Sequence, residues 1–196
     1  MNGQLAPVSL LRQRSGTRPK RTQRSSAPVV FRTGKATDAT ALFRLIDAHK
    51  AEGHLLPRRE DDLTIHAPRF IVAERRGAIV GCAELAPLSG RVAEVRSLVV
   101  ESSARGLGIG RALVSELQQG ARRDGFESVC AFTHDASFFV RLGFSLVPHS
   151  WVPEKIALDC VRCPEFRRCG QHAVVLSIGG VRATSDAFVP LASLRS

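Results

Sequence analysis

The sequence predicts an α/β fold with a mixed central sheet flanked by helices, and three observations carry that prediction. Short β-prone runs alternate along the chain with segments of helical periodicity. Two of the runs, Phe70 to Glu74 and Ala78 to Leu85, are joined by Arg75-Arg76-Gly77, a tight-turn signal that implies antiparallel pairing. A third, Ala93 to Val100, leads through a glycine-rich loop into a strongly amphipathic segment. Hairpins and strand-to-helix connections in one chain call for a sheet of mixed direction.

The elements follow in order. Val29-Val30-Phe31 opens the fold as a strand after Pro28. Thr37 or Asp38 caps a helix in which Leu42, Leu45, Ile46 and His49 recur at three- and four-residue spacing, and Gly53 stops it. In the loop Gly53 to Arg59, Pro57 fixes φ and withdraws an amide, so Arg58 and Arg59 are presented outside regular structure. Glu60 to His66 has room for a helical turn or two. After the hairpin, period two along Ala93 to Val100 puts Glu94, Arg96, Leu98 and Val100 on one face. Two charges on such a strand are costly unless paired or used. Ile109, Leu113, Leu117 and Ala121 then form a stripe, with Arg122 and Arg123 in the last turn and Gly125 beyond it, which predicts the best-marked helix. Ser128 to Thr133 returns as a strand, Ala136 to Leu142 as a short helix, Phe144 to Val147 as a strand, and Ala173 to Ile178 as the last strand.

Composition bounds the function. The chain has 196 residues and a formal net charge of +10, which invites a polyanion partner until the charge is located. Residues 1 to 37 hold eight Lys or Arg and no acid, leaving 20 basic against 18 acidic residues on the remainder. The expected core is nearly neutral, which argues against nucleic acid as a partner. No apolar run approaches the roughly 18 residues needed to cross a bilayer, so no membrane role is expected. Five cysteines is an odd number, and the start has no apolar secretory segment, so a reducing, cytoplasmic setting is expected. The Arg- and Ser-rich beginning fits a disordered bacterial extension as well as a mitochondrial or plastid transit peptide. The organisation expected is a basic disordered leader over 1–28, one catalytic domain over 29–180 and a flexible tail over 181–196.

The segment Arg105-Gly106-Leu107-Gly108-Ile109-Gly110-Arg111 lies between a strand and a helix, where free amides and the positive helix end meet. That is a cradle for phosphate, and the glycines allow close backbone approach. The spacing fits neither a dinucleotide fingerprint, because Arg111 or Leu113 falls where a small third residue is needed, nor a P-loop, because Arg111-Ala112 follows Gly110. What does fit is Arg105-x-x-Gly108-x-Gly110 directly after Leu98-Val99-Val100. This resembles the acetyl-CoA loop of the GCN5-related N-acetyltransferase (GNAT) superfamily. Ala136-Ser-Phe-Phe-Val-Arg-Leu-Gly-Phe144 resembles its second hallmark, a short helix beside the cofactor ended by Gly-Phe. Leu55-Leu56-Pro57-Arg58, Ala93-Glu94-Val95-Arg96-Ser97-Leu98 and the run Asp159-Cys160-x-x-Cys163-Pro-Glu-Phe-x-x-Cys169 are similar to short, stand-alone acetyltransferases related to N-acetylglutamate synthase.

The resemblance implies the GNAT acyl-CoA N-acyltransferase fold, with splayed central strands, and acetyl-CoA as co-substrate. It also implies direct transfer of acetyl, in a ternary complex, to the α-amine of L-glutamate, the entry to arginine biosynthesis. Leu98, Val99, Val100, Arg105, Gly106, Gly108, Ile109, Gly110, Arg111 and Phe139 are the expected cofactor contacts, and the Leu98 amide is the expected oxyanion donor. An amino-acid amine is mostly protonated at neutral pH and needs a base, for which Glu94 is the candidate; the alternative is that Glu94 only neutralises Arg96. Arg58 and Arg96 are the candidates for the substrate carboxylates, because a guanidinium fork matches carboxylate oxygens; the alternative for each is a solvated surface arginine. Many superfamily members protonate the leaving thiolate with a tyrosine, but this chain has none. Water, Ser137 or His134 could stand in, or no acid is needed.

Cys160, Cys163, Cys169 and His172 supply four soft-metal ligands within 13 residues, at a spacing unlike a standard zinc knuckle. Either they hold a metal, or the cysteines are reduced thiols packed near the last strand, the reading adopted. Two further functions share part of this pattern: the same fold acting on another amine, such as glutamine, a protein N-terminus or a polyamine, and a non-catalytic CoA-responsive binding module. A homodimer is left open.

Overall fold

The computed structural model describes residues 27–50 and 57–179. The expected leader, the helix stop at Gly53 with the loop residues up to Leu56, and the expected tail over 181–196 lie outside the described residues, apart from Ala27 and Pro28.

Seven strands form one sheet. β1 (Val30–Thr33), β2 (Phe70–Arg75), β3 (Ala78–Pro87) and β4 (Val92–Val100) are successive antiparallel neighbours. β4 pairs in parallel with β5 (Ser128–Thr133), and β7 (His172–Ser177) lies between β5 and β6 (Ser145–Val147). The sheet is therefore mixed, as expected. The β2–β3 hairpin turns at Arg76 and Gly77, both at positive φ (54° and 75°), the backbone twist a two-residue hairpin requires.

Helices cover both faces. α1 (Ala39–Lys50) buries Leu42, Leu45 and Ile46, and α2 (Glu60–His66) buries Leu63, against Phe70, Val72, Cys82 and Val99 of the sheet. Glu60, Asp61 and Asp62 stand in the first turn of α2, where they complement the helix dipole. Seven residues form a helix there because the buried Leu63 anchors them, which local pattern alone left undecided. His49 completes the buried stripe of α1, its Nδ1 2.8 Å from the Leu45 carbonyl oxygen. On the opposite face α3 (Ile109–Arg123) sets Ile109, Leu113, Val114, Leu117 and Ala121 against Ala83, Ala93, Val95 and Val129. Gly81 lets α3 come close: a Cβ there would stand 3.2 Å from Ile109 Cγ2 and 3.2 Å from the Val99 carbonyl oxygen. α4 (Ala136–Val140) is two residues shorter than the periodicity predicts. α5 (Pro153–Leu158), which the sequence reading did not place, starts at a proline whose missing amide costs nothing in a first turn.

The face assignment along β4 needs correction. Ser97 adopts φ +48°, and the β3–β4 register skips there, Glu84 facing Arg96 and Cys82 facing Val99. One extra residue on β4 is a β-bulge, and it inverts the alternation beyond it. Glu94, Arg96 and Val99 consequently share the α1 face, whereas Leu98 and Val100 turn to the α3 side with Ala93 and Val95. Glu94 and Leu98 do not share a face, contrary to the period-two reading.

Only the small αL region is open to an L-residue at φ +48°, at a cost of roughly 1–2 kcal/mol that rises for β-branched side chains. Ser97→Val should therefore lower the unfolding free energy by about 1–2 kcal/mol more than Ser97→Ala in urea titrations, while Ser97→Gly should cost least of the three.

Candidate functional site

β4 and β5 are paired only at Val92↔Ser128, Ala93↔Val129 and Glu94↔Cys130, and then diverge. Past Arg96, Ser97 and Leu98 also fall out of the β3 register. The middle of the sheet thus opens into a cleft of about 1350 Å³. Every residue expected to contact cofactor or substrate, and both expected catalytic residues, line it.

At one end stands the N-terminus of α3. Gly108 caps it at φ +77° and Gly106 precedes it at φ +78°, conformations that glycine adopts without penalty. The Ala112 amide makes a helical bond to the Gly108 carbonyl at 3.1 Å. The amides of Ile109, Gly110 and Arg111 precede that bond, so they have no carbonyl of the helix to donate to, and no side chain caps the end. Three donors and the helix dipole therefore converge on one exposed spot, the chemistry that a diphosphate requires. Arg105 Nε donates to the Val100 carbonyl at 3.1 Å, which ties the loop to the strand end. Phe138 and Phe139 need a distinction. Phe139, the expected cofactor contact, reaches the cleft but is only 5% exposed, wedged edge-on against Phe138 and Phe144. Phe138 is the ring beside the loop, 3.5 Å from where a Gly110 Cβ would stand.

Across the cleft lies a cluster of buried charge. Arg58 Nη1 donates to Glu84 Oε2 at 2.7 Å and to Ser97 Oγ at 3.3 Å, with its guanidinium 5.9 Å from the Phe70 ring centroid. Arg96 Nε donates to Glu94 Oε2 at 2.5 Å and its Nη2 to Asp159. Lys155 Nζ, over the Phe132 ring, reaches Glu94 Oε1 at 2.8 Å, Glu94 Oε2 at 2.9 Å and Asp159 Oδ2 at 2.9 Å. Glu84, Glu94 and Lys155 are among the few charged groups buried in the described residues. Burial would raise the Asp159 carboxyl, but Lys155 and Arg96 outweigh it and hold it below the usual carboxylate range. Burial would likewise lower Arg96, and the charge of Glu94, its hydrogen bond and Asp159 more than offset that. Three cations and three carboxylates compensate one another, as buried charge must.

Neither arginine is thus the solvated surface residue of the alternative reading. The Glu94–Arg96 ion pair set against the base reading is real. It still leaves a lone pair on Oε1, which meets Lys155 Nζ at 2.8 Å, whereas Oε2 is shared between Arg96 and Lys155. Sequence reasoning missed Lys155, Asp159 and Glu84. The i, i+4 spacing of Lys155 and Asp159 was visible, but nothing local ties Lys155 to a carboxylate 61 positions away.

At the end of β5, His134 lines the cleft, whereas Ser137 Oγ is engaged by Asp135 Oδ1 at 2.5 Å and by Arg141 Nη1 at 3.2 Å. The Ser137 side chain and amide also hold the Asp135 carboxyl below its usual range. Cys160 and Cys163 are half-buried and Cys169 is exposed, all three as free thiols. Among the described residues no three His, Cys, Asp or Glu side chains are grouped to hold a metal ion, so Cys160, Cys163, Cys169 and His172 do not form a ligand set here. Cys82 and Cys130 are core residues; burial pushes the Cys82 thiol up to about 12.

Comparison with known proteins agrees with this arrangement. The sequence model described as the acetyltransferase (GNAT) family matches residues 39–144. An uncharacterized N-acetyltransferase of Chlorobaculum tepidum is 31% identical over 153 residues, spanning 78% of this chain and 99% of that protein. An amino-acid acetyltransferase of Mycobacterium tuberculosis is 34% identical over 125 residues, 62% of this chain and 71% of that one. N-acetylglutamate synthase from Neisseria gonorrhoeae, solved with coenzyme A and N-acetyl-glutamate, superimposes with a TM-score of 0.70 at 24% identity. The match covers 79% of this chain but 36% of the synthase, a likeness of fold. A Mycobacterium tuberculosis protein in complex with CoA and NLQ gives 0.64 at 28% identity, covering 76% of this chain and 98% of its own.

Removing one partner of a buried ion pair leaves a charge uncompensated at a cost of roughly 3–5 kcal/mol. Lys155→Met should destabilise by about that amount in denaturant titrations. The double variant Lys155→Met with Glu94→Gln should recover more than half of the loss.

Proposed function

The chain belongs to the acetyltransferase (GNAT) family and is an acetyl-CoA-dependent N-acetyltransferase, and on that premise we propose that its acceptor is the α-amine of L-glutamate. The reaction would be the first step of arginine biosynthesis, carried out by direct transfer within a ternary complex. Relatives named amino-acid acetyltransferase support an amino-acid acceptor. The observation that carries the finer reading is the pair of half-buried guanidiniums, Arg58 and Arg96, each braced by an acid and lining the cleft beside the point where β4 and β5 part. An arginine carries five N–H donors. Arg58 Nη1 is engaged by Glu84 and Ser97, and Arg96 uses Nε and one Nη2 hydrogen, so each guanidinium retains donors for a second carboxylate. The bracing acids fix the direction of each fork, which lowers the ordering cost of binding a dicarboxylate.

In the proposed mechanism the thioester lies in the gap between β4 and β5, its diphosphate on the amides that open α3. The acceptor amine loses a proton to Glu94 Oε1 through water, then attacks the acetyl carbonyl. The Leu98 amide, in the stretch the bulge removes from the β3 ladder, donates to the developing oxyanion. Collapse of the tetrahedral intermediate breaks the C–S bond, its electron pair leaving on sulfur as the CoA thiolate, and the positively charged nitrogen gives up its second proton to water as the amide forms.

A CoA-release assay over a panel of amino acids and simple amines tests the assignment. Glutamate should be preferred over glutamine. Arg58→Lys keeps the charge beside Glu84 but loses the fork, so it should raise KM for glutamate by roughly 10-fold, about the value of one charge-assisted hydrogen bond, with KM for acetyl-CoA unchanged. Turnover of lysine or polyamines alone would remove glutamate as the acceptor.

A further inference from the structure

The stretch after α5 places two thiols on one turn. Cys160–Arg162 form a single 3-10 turn, closed by the Cys163 amide donating to the Cys160 carbonyl at 3.0 Å. A four-residue turn closed in this way keeps its first and last Cα atoms within about 7 Å, and a disulfide spans roughly 4.4–6.8 Å between Cα atoms. We propose that Cys160 and Cys163 are a redox modification site, which a hydroperoxide converts to an intrachain disulfide that loosens the acceptor side of the cleft.

Both thiols are free and half-buried, and Cys163 lines the cleft. A small oxidant that enters the cleft therefore meets the Cys163 sulfur. Burial, with the nearby Cys169, Asp159 and Cys163, outweighs the pull of Lys155 and holds the Cys160 thiol above its usual range. A thiol kept protonated is a slow first nucleophile, which suits Cys160 to the second step, attack on an oxidised neighbour. Cys169 is exposed and lies beyond a further turn, Phe166–Arg168, whereas the closing hydrogen bond sets the span from Cys160 to Cys163. Cys82 and Cys130 are fully buried in the sheet, out of reach of a peroxide.

The turn is tied to the acceptor site through Asp159, the residue before Cys160. The Asp159 amide donates to the Lys155 carbonyl at 3.0 Å and the Asp159 carbonyl accepts from the Arg162 amide at 3.3 Å, so its main chain ends α5 and opens the thiol turn. Its Oδ2 accepts from Lys155 Nζ at 2.9 Å and from Arg96 Nη2. Drawing two sulfurs from nonbonded contact to a bond of about 2 Å pulls on the turn at Cys160, next to Asp159. A displacement of about 1 Å there carries such a contact out of hydrogen-bond range and frees Arg96 from one of the two acids that aim it. The effect on turnover rests on the reading of Arg96 as an acceptor contact; the disulfide itself does not.

With hydrogen peroxide as the oxidant the chemistry balances. The Cys163 thiolate attacks one peroxide oxygen, the O–O bond breaks, and the leaving oxygen takes up the thiol proton and departs as water, which leaves a sulfenic acid on Cys163. The Cys160 sulfur then attacks the Cys163 sulfur. The S–S bond forms, the S–O bond breaks, and the hydroxide leaves with the Cys160 proton as a second water. Two thiols lose two electrons and one peroxide is reduced to two waters. A dithiol reductant returns the pair to thiols by exchange.

The test treats the full chain with hydrogen peroxide, blocks remaining thiols before unfolding, and maps the tryptic peptides. Cleavage after Lys155, Arg162, Arg167 and Arg168 puts Cys160, Cys163 and Cys169 in three separate peptides. The Cys160 peptide should be joined to the Cys163 peptide in wild type and in Cys169→Ser, not in Cys163→Ser, and dithiothreitol should part them. Kinetics use whichever amine the wild type turns over best, so that failure of the glutamate assignment leaves this result readable. Oxidation should raise KM for the amine by about 5-fold or more, the value of one hydrogen bond, with reversal by dithiothreitol. KM for acetyl-CoA, held at the distant α3 end, should stay within about 2-fold. Absence of the link, or a link to Cys169 in its place, would overturn the proposal. So would a link that leaves KM for the amine unchanged, or an equal rise in KM in peroxide-treated Cys163→Ser.

Discussion

The parting of β4 from β5 is the constraint on which the rest of the structure depends. A continuous ladder would consume every amide in the middle of the sheet; three paired positions followed by divergence leave a stretch of strand backbone facing a cleft. The left-handed residue Ser97 cooperates on the other edge, since its bulge breaks the ladder to β3 just before Leu98. Local strain at a site of this kind is tolerated where surrounding packing fixes it. Here α3 supplies that packing on one face and α1 with α2 on the other.

The same bulge separates two kinds of chemistry. Before it, odd-numbered residues of β4 face α3 and even-numbered ones face the charged cluster; after it, the assignment is exchanged. Leu98 can thus pack on the α3 side with Val95, while Glu94 and Arg96 stay beside Lys155 and Asp159 on the other. Such a cluster is weak support for stability, because desolvation offsets much of the Coulomb gain. Its value lies in direction: Arg58 held by Glu84, and Arg96 held by Glu94 and Asp159 with Lys155, have little freedom to turn away from an acceptor.

Much of this was legible in the sequence because its signals are local. Gly106 and Gly108 sit at positive φ in the loop that leads into the Ile109–Ala121 stripe, and turn chemistry, cap and periodicity all fall within 17 residues. The hairpin at Arg76-Gly77 was readable for the same reason. What was not legible depends on contacts between distant residues. Serine carries no mark of a left-handed conformation, so the bulge and the exchange of faces at Leu98 were hidden. The insertion of β7 between β5 and β6 reverses sequence order, and the pairing of Lys155 with Glu94 joins segments that only the folded sheet brings together.

The central claim is that CoA is held by backbone: the amides opening α3 for its diphosphate, and the Leu98 amide for its acyl end. Amide-resolved NMR of the ¹⁵N-labelled protein titrated with CoA and with acetyl-CoA reads this directly. The account predicts that Ile109, Gly110 and Arg111 shift most with either ligand, and that Leu98 shifts further when the acetyl group is present. Saturable binding that leaves those four amides unmoved, or no binding at millimolar ligand, would contradict it.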